Sequence, residues 1–447
     1  MIAFHLSRTF NMGTLEDINT ATVIVATAIS EYLWFFRFFF NLLAYSTVII
    51  PTILLVKWVQ NHHRDSEFYH RTRLGAFLRL FAVGRPEYQL IPDEKRSDVD
   101  VRLDKDDIPE MVPIVKSSNR FSNDTFMLIL CFGLIQCFFV PMGFFQEHIM
   151  TQLYPRFDDS GVEDKFHDTE FLLLLNRLVA LVICVLLLFY DYKNQPAHVP
   201  PLYKHSFGSM SNTLSSLCQY EAMKYMSFPA LTVGKASKLI PTMIMGKIVR
   251  NKTYTTKDYI VASMLVTGVA FFFLSTPSFK QAGKRAGATE TTISGLILMA
   301  GYLAFDAFTP NWQKKLFDCK PPVSKTQMML GVNFFSAVLC VVSLLMQGTL
   351  FSSISFALNH DGFARNAFLC SFFGACGQFA IYQSIKRFGP EFFAICMTVR
   401  QILSIILSAF YFSHPISPTG IIGLCIVFGA IFYSKLCGRL SGSKLRS

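Results

Sequence analysis

LTVGKASKLIPTMIMGKIV (residues 231–249) and FAICMTVRQILSIILSAFYF (residues 393–412) are each long and apolar enough to lie in a bilayer, yet both hold cations near their centres. Lys235 and Lys238 occupy the first stretch and Arg400 the second. A cation at mid-bilayer costs about 2.5–3.5 kcal/mol on insertion scales, so it persists where it has a task. Neither stretch contains an acid to cancel the charge. Counted from residue 229, Lys235 lies about 9 Å deep and Lys238 about 14 Å deep at about 1.5 Å per residue. Arg400 lies about 14 Å into a span that starts at residue 391, by the same rise. A continuous helix over 229–249 would put Lys235 and Lys238, three apart, on one face. Three deep cations predict a midplane cavity that holds an anion. The competing reading is that they snorkel or pair with carboxylates on distant helices.

The surrounding composition fits a membrane. The chain has 447 residues, of which 52% are hydrophobic and only 16% charged, with 46 Phe. A soluble domain carries about 25% charged residues. Helices of about 20 apolar residues cross the hydrocarbon core. Candidates run over 33–56, 126–146, 171–190, 207–227, 229–249, 259–275, 293–310, 327–346, 366–385, 391–412 and 416–434. The spans 207–227, rich in Ser and holding Glu221, and 229–249 are too polar to face lipid all round, so both should line the interior. Most of the 11 cysteines fall inside spans with no CxxC spacing, which predicts buried small apolar groups rather than disulfides. No Walker, Rossmann, HExxH or GxSxG motif stands in a supporting context, and no cofactor is expected. No cleaved signal peptide is expected either.

Loop charge orients the spans. Twelve Lys and Arg residues lie between 57 and 125, which predicts a cytosolic loop. The same side then receives Lys247, Arg250, Lys252 and Lys257, then Lys314, Lys315, Lys320 and Lys325, then Lys386 and Arg387, and a basic C-terminal tail. The opposite side receives the acidic loop 147–170. One loop disagrees, carrying Lys280, Lys284 and Arg285 on the far side. The predicted organisation is a lumenal segment 1–31, an extra transmembrane helix 32–57, a basic cytosolic loop 58–124, five spans over 125–276, five over 290–436 and a cytosolic tail 437–447.

The two halves repeat. A shift of 162 residues lays KLIPTMIMGKIV, from Lys238, on RQILSIILSAFY, from Arg400. Each segment follows a proline, Pro229 or Pro390. Five spans per half is an odd number, so the second half enters the membrane upside down. Inverted repeats place a substrate site at the midplane between the halves. The predicted fold is therefore an all-α polytopic membrane protein with a ten-helix, five-plus-five inverted repeat and one extra N-terminal helix.

Other residues supplement the cations. Arg400 presents a planar fork suited to phosphate, or else pairs with Asp306 or Glu221. Gln401, with Thr398 and Ser404, could hydrogen-bond a phosphate or a base, though small polar residues also join helices. Tyr220 and Tyr302 could stack a base or pack in the core. Glu221 is a candidate site residue, and Asp306, Arg177 and Lys224 are candidates for a gate or an ion pair. No histidine lies in the middle of a predicted span, which argues against an embedded transferase.

Several stretches resemble one family: FLLLLNRLVAL, SLCQYEAMKYMSFPALTVGKASKLIPTMIMGK, SGLILMAGYLAFDAFTPNWQ, MMLGVNFFSA and MTVRQILSIILSAF. Together they resemble the nucleotide-sugar transporter family (solute carrier family 35, B branch), within the drug/metabolite transporter superfamily. Among its branches, CQYEA followed by KASKLIPTMIMGK is most similar to the one carrying 3′-phosphoadenosine 5′-phosphosulfate (PAPS), the sulfate donor. The resemblance runs from near Tyr32 through the last span. It implies a Golgi carrier that moves PAPS from cytosol to lumen in exchange for an adenine nucleotide. The lipid bilayer is then its setting, no nucleic acid is a partner, and a homo-oligomer is compatible with it. A UDP-sugar or ATP/ADP antiporter of the same family is the alternative. PAPS, with a terminal phosphate adding about −1.5 to −2, is more anionic than a UDP-sugar and suits several cations better.

Overall fold

A computed structural model of the chain describes residues 15–62, 72–85, 89–90, 117–157, 163–166, 168–226, 228–275, 293–320, 322–411 and 418–444. Residues 1–14, much of the basic loop, the loop with Lys280, Lys284 and Arg285, and the last three residues lie outside these.

Helices dominate, as the apolar spans require. They are α1 (Leu15–His62), α2 (Arg73–Ala82), α3 (Ser117–Thr151), α4 (Thr169–Tyr190), α5 (Lys204–Tyr225), α6 (Phe228–Ala236), α7 (Leu239–Arg250) and α8 (Thr256–Ser275). The second half supplies α9 (Ile293–Phe317), α10 (Lys325–Gln347), α11 (Leu350–Asn359), α12 (Phe363–Phe388), α13 (Pro390–Tyr411) and α14 (Pro418–Lys444). Two short antiparallel ribbons join them: β1 (Gln89–Leu90) with β4 (Cys319–Lys320), and β2 (Leu153–Pro155) with β3 (Glu163–Lys165). Among the described residues, six segments are long and apolar enough to cross a membrane: Phe39–His62, Phe126–Thr151, Thr169–Tyr190, Ile293–Phe317, Lys325–Gln347 and Phe363–Phe388. The chain is a multi-pass membrane protein. Exposed apolar side chains such as Phe40, Leu54, Phe126, Phe144, Leu186 and Phe368 form its lipid-facing wall.

Local chemistry sets several helix ends. Asp168 caps α4, its Oδ1 accepting from the Glu170 and Phe171 amides at 3.1 Å each. Ser324 and Gln327 make a reciprocal capping box at the start of α10, and Gly348 closes that helix in the left-handed conformation at φ 70°. Gly389, at φ 91°, separates α12 from α13, and Pro390 then opens the next helix where a missing N–H does no harm.

Packing pairs helices across the chain: α5 with α9, α3 with α12, α4 with α10, and α8 with α14, with further contacts of α4 to α12, α5 to α10, and α7 to α9 and α13. Polarity explains why α5 is interior. Its serines donate across helices, Ser209 to the Val332 carbonyl at 2.7 Å and Ser211 to the Phe305 carbonyl at 2.8 Å. At the α8–α14 crossing Gly268 and Gly423 meet backbone to backbone; a Cβ at 423 would lie 2.6 Å from the Gly268 carbonyl oxygen. The N-terminal helix α1 rests on α10, with Tyr45 fully buried.

Three elements differ from the sequence reading. The basic loop, read as linker, holds α2, whose Leu78, Phe81 and Ala82 pack on Val56 and Val59 of α1. The acidic loop folds into the β2–β3 ribbon with α11 beside it. Tyr154 and Phe356 pack edge-on against Phe363 there, and Phe166 meets it at a tilt. Both elements were missed because each is shorter than the apolar windows that mark membrane spans. The third, a break in the predicted helix over 229–249, shapes the site.

Candidate functional site

Pro241 decides the backbone around the two lysines. A proline inside a helix has no N–H for the carbonyl four residues back and crowds it sterically. That carbonyl belongs to Ser237, and there the helix stops: α6 ends at Ala236, Ser237 and Lys238 form a turn, and α7 starts at Leu239. The Ser237 hydroxyl bonds the Gly234 carbonyl at 2.8 Å, closing the turn. So the continuous helix expected over 229–249 is corrected to two short helices. Lys235 and Lys238 do not share one unbroken helical face. Lys238 instead becomes the N-cap residue of α7.

From that corner Lys238 reaches α9 and α13. Its Nζ lies 3.8 Å from Asp306 Oδ2 and 5.3 Å from the centre of the Phe393 ring. The side chain is only 12% exposed. Arg400 of α13 is close enough for its charge to act on Lys238. Elements far apart in sequence thus meet at Lys238, which faces Asp306 of α9 and feels the charge of Arg400 on α13. The Arg400 Nε and the Gln401 Oε1 are buried without a hydrogen-bond partner among the described residues. A buried unpaired donor costs the full desolvation of that group. Thr398 turns back to its own helix, bonding the Ala394 carbonyl at 3.0 Å. Lys235 is half-buried with no acid partner among the described residues. The side chains of Lys224 and Ser404 lie outside the described residues.

The other predicted residues fall elsewhere. Tyr220 and Glu221 line a cleft of about 880 Å³, together with Asp168, Glu170, Gln347 and Phe356. None of the three cations is among its lining residues. Two of its acids are committed to structure: Glu170 accepts from Ser343 at 2.7 Å and Gln347 at 2.9 Å, and Asp168 from Ser353 at 2.8 Å. Tyr302 is core, packed with Cys218, Ala222 and Met299. Arg177 binds an amide, its Nη1 donating to Asn333 Oδ1 at 3.2 Å. Asn333 donates to Gln378 at 3.1 Å, and Gln378 to Asn176 at 2.9 Å, so α4, α10 and α12 are tied by a polar chain.

The structure also reveals a second charged cluster that the sequence reading missed. Arg250, last residue of α7, donates to Glu391 Oε1 from Nη2 at 2.5 Å and to Asn311 Oδ1 from Nε at 2.9 Å. The Tyr254 hydroxyl donates to the same Glu391 oxygen, and Lys252 Nζ lies 3.2 Å from it. Asn311 in turn donates to the Thr242 carbonyl at 2.9 Å. Gly246 makes the approach possible, since a Cβ there would lie 2.2 Å from the Tyr254 hydroxyl. Glu391 stands two residues ahead of the second quoted stretch and Arg250 one residue past the first. Nothing local links them; the signal is an acid and an arginine at the ends of spans that pack together.

Known proteins match the chain along most of its length. A model of the UAA transporter family matches residues 127–437. An adenosine 3′-phospho 5′-phosphosulfate transporter 1 from Caenorhabditis elegans is 50% identical over 405 residues, which is 90% of this chain and 92% of the relative. The Homo sapiens protein of the same name is 38% identical, covering 89% of this chain and 86% of the relative. A UDP-galactose/UDP-glucose transporter 5B from Arabidopsis thaliana is 36% identical, but over only 68% of this chain and 86% of the relative.

Proposed function

The chain belongs to the UAA transporter family, and on that premise we propose that it carries PAPS from the cytosol into the Golgi lumen, in exchange for an adenine nucleotide. It is a transporter and not an enzyme. The observation that carries the anion reading is the buried Lys238, 3.8 Å from Asp306 and within reach of the Arg400 charge, with the Arg400 Nε unpaired among the described residues. The Caenorhabditis elegans and Homo sapiens relatives named for the sulfate donor match about nine-tenths of the chain, at 50% and 38% identity, against 68% of the chain for the UDP-galactose/UDP-glucose transporter 5B. Arg400, Lys238, Lys235 and Gln401 bind the phosphate and sulfate groups. Asp306 is the counter-charge of the empty site. Tyr220 and Glu221 line the acidic cleft on the lumenal approach, and Arg177 positions α4 against α10.

Ten helical units after α2, counting α6–α7 as one and α11 as part of a loop, form the inverted repeat, and α1 is the extra helix. The packing pairs support this reading. Advancing each unit by five turns the pair α5–α9 into α12–α3 and the pair α4–α12 into α10–α5. It leaves α4–α10, α7–α13 and α8–α14 as they are, and every one of these pairs is in contact. Repeats of this kind rock against each other around a fixed midplane site.

Uptake by purified protein in proteoliposomes tests the substrate. Radiolabelled PAPS is expected to accumulate, with adenosine 3′,5′-bisphosphate competing strongly and UDP-galactose or ATP weakly. Competition by UDP-galactose or ATP equal to that of the bisphosphate would move the assignment to the alternative antiporter.

Orientation has its own test. The charge rule places the sequons Asn123-Asp-Thr and Asn251-Lys-Thr in the cytosol, with the C-terminus beside them. Neither is expected to carry glycan in cells, whereas a sequon built at Asp159 is. A glycosidase-sensitive mass shift that disappears in Asn251→Gln inverts the topology.

A further inference from the structure

We propose that Arg250, Lys252 and Tyr254 form an outer phosphate subsite at the cytosolic mouth, with Glu391 as its resident counter-ion. The proposal deepens the transport reading and rests on it: a nucleotide polyanion must arrive from the face that carries these residues.

Three donors meet at a single oxygen, Glu391 Oε1: Arg250 Nη2 at 2.5 Å, Lys252 Nζ at 3.2 Å and the Tyr254 hydroxyl. Two cations share one carboxylate, which leaves the cluster a net positive charge. Burial is graded across it. The Arg250 side chain is 7% exposed and Glu391 17%, while Lys252 is 43% exposed, so the cationic rim opens to solvent at Lys252. Neighbouring lysines on the same side are spent differently. Lys315 donates to the Val249 carbonyl at 2.9 Å and Lys386 to the Val323 carbonyl at 2.9 Å, each tied to backbone. At Glu391, by contrast, the acceptor is a side-chain carboxylate that another anion can replace.

A phosphomonoester is the anion that fits. It offers three acceptor oxygens and about −1.5 to −2 charges, and a guanidinium fork engages it in two places. A carboxylate brings two oxygens and a single charge. An incoming phosphate therefore outcompetes Glu391 for the same donors. Its arrival has a mechanical consequence, because the Arg250–Glu391 pair ties the end of α7 to the start of α13. Those two helices carry Lys238 and Arg400 about 18 Å and about 14 Å further in, at about 1.5 Å per residue. Asn311 still holds the Arg250 Nε when Glu391 leaves, so the cation stays in place while α13 is released. The mouth thus reads a terminal phosphate and unties the closure in the same step. A diphosphate esterified at both ends, as in a UDP-sugar, lacks that terminal dianion, so the subsite also favours the sulfate donor.

Lys252→Gln separates a ligand role from a merely structural one. Its loss leaves the Arg250–Glu391 pair intact, and its exposure keeps folding out of the result. In proteoliposomes, Lys252→Gln is expected to raise KM about three- to tenfold with an unchanged maximal rate, as for loss of one half-exposed charged contact. Competition by inorganic phosphate is expected to weaken in parallel. Glu391→Gln is expected to lower KM or leave it unchanged, and to increase inhibition by inorganic phosphate. Unchanged KM and unchanged phosphate inhibition in Lys252→Gln overturn the subsite. The ratio to wild type is taken with whichever nucleotide the wild type carries. Failure of PAPS as a substrate is therefore seen in the wild type alone, and failure of the subsite in the Lys252→Gln ratio alone.

Discussion

Replacing Arg400 by alanine is expected to lower PAPS uptake at least about tenfold without reducing the yield of folded protein. A hydrogen bond to a charged group contributes about 1.5–3 kcal/mol, and about 1.4 kcal/mol is a decade in an equilibrium constant. One lost contact in a dry site therefore costs about one to two decades. Stability should hold because the Arg400 Nε has no partner among the described residues, so that bond is not there to lose. Arg400→Lys is expected to stay impaired, since a point charge cannot reproduce the planar fork. Lys238→Ala should lose transport to a similar degree, but it also strands the Asp306 carboxylate now 3.8 Å from the ammonium. The pair Lys238→Ala with Asp306→Ala separates these effects: it should recover thermal stability and remain inactive. Lys235→Ala completes the series, with the same direction expected. Near-wild-type uptake by all three single alanine variants would remove the anion site from the convergence of α7, α9 and α13.

Exchange is expected to outrun net transport by a wide margin. Vesicles preloaded with unlabelled adenine nucleotide should take up labelled PAPS at least about tenfold faster than empty ones. The cause is the charge left in the empty cavity, where Asp306 is the one acid acting on Lys238 among the described residues and the Arg400 charge adds to that of the lysine. Closing the halves around an uncompensated cation in low dielectric carries a desolvation cost of several kcal/mol per ion. Bound nucleotide supplies the missing negative charge, so the loaded carrier reorients readily and the empty one slowly. Equal rates in loaded and empty vesicles would mean uniport, and charge compensation would not then govern reorientation. The loaded-to-empty ratio should rise in Asp306→Asn, because the empty site becomes more positive and its return slower still.

Membrane character and the three costly cations were legible in the sequence, because each is a local property. Hydropathy over about 20 residues reports solvent, and a lysine buried in such a window reports function whatever its partners. The shift of 162 residues that aligns Lys238 with Arg400 is likewise readable by eye. Pro241 was equally visible, and the break at Ser237 follows from ring sterics alone, yet an apolar window averages over it. The short elements α2, α11 and β2–β3 escaped for the same reason, being shorter than the window.

What only the tertiary structure decided is which charges meet. Lys238 finds Asp306 and Arg400, Arg250 finds Glu391 across 141 residues, and Arg177 finds an amide instead of an acid. Tyr220 and Glu221, beside the lysines in sequence, end in a different cleft. Coulomb and hydrogen-bond energies depend on distances of a few ångströms, and those distances are set by how helices cross. Helix crossings depend in turn on small residues such as Gly268 and Gly423 and on the serines of α5. The sequence by itself determined that cationic charge lies inside apolar spans; helix packing determined that Lys238 meets Asp306 and that Arg250 meets Glu391.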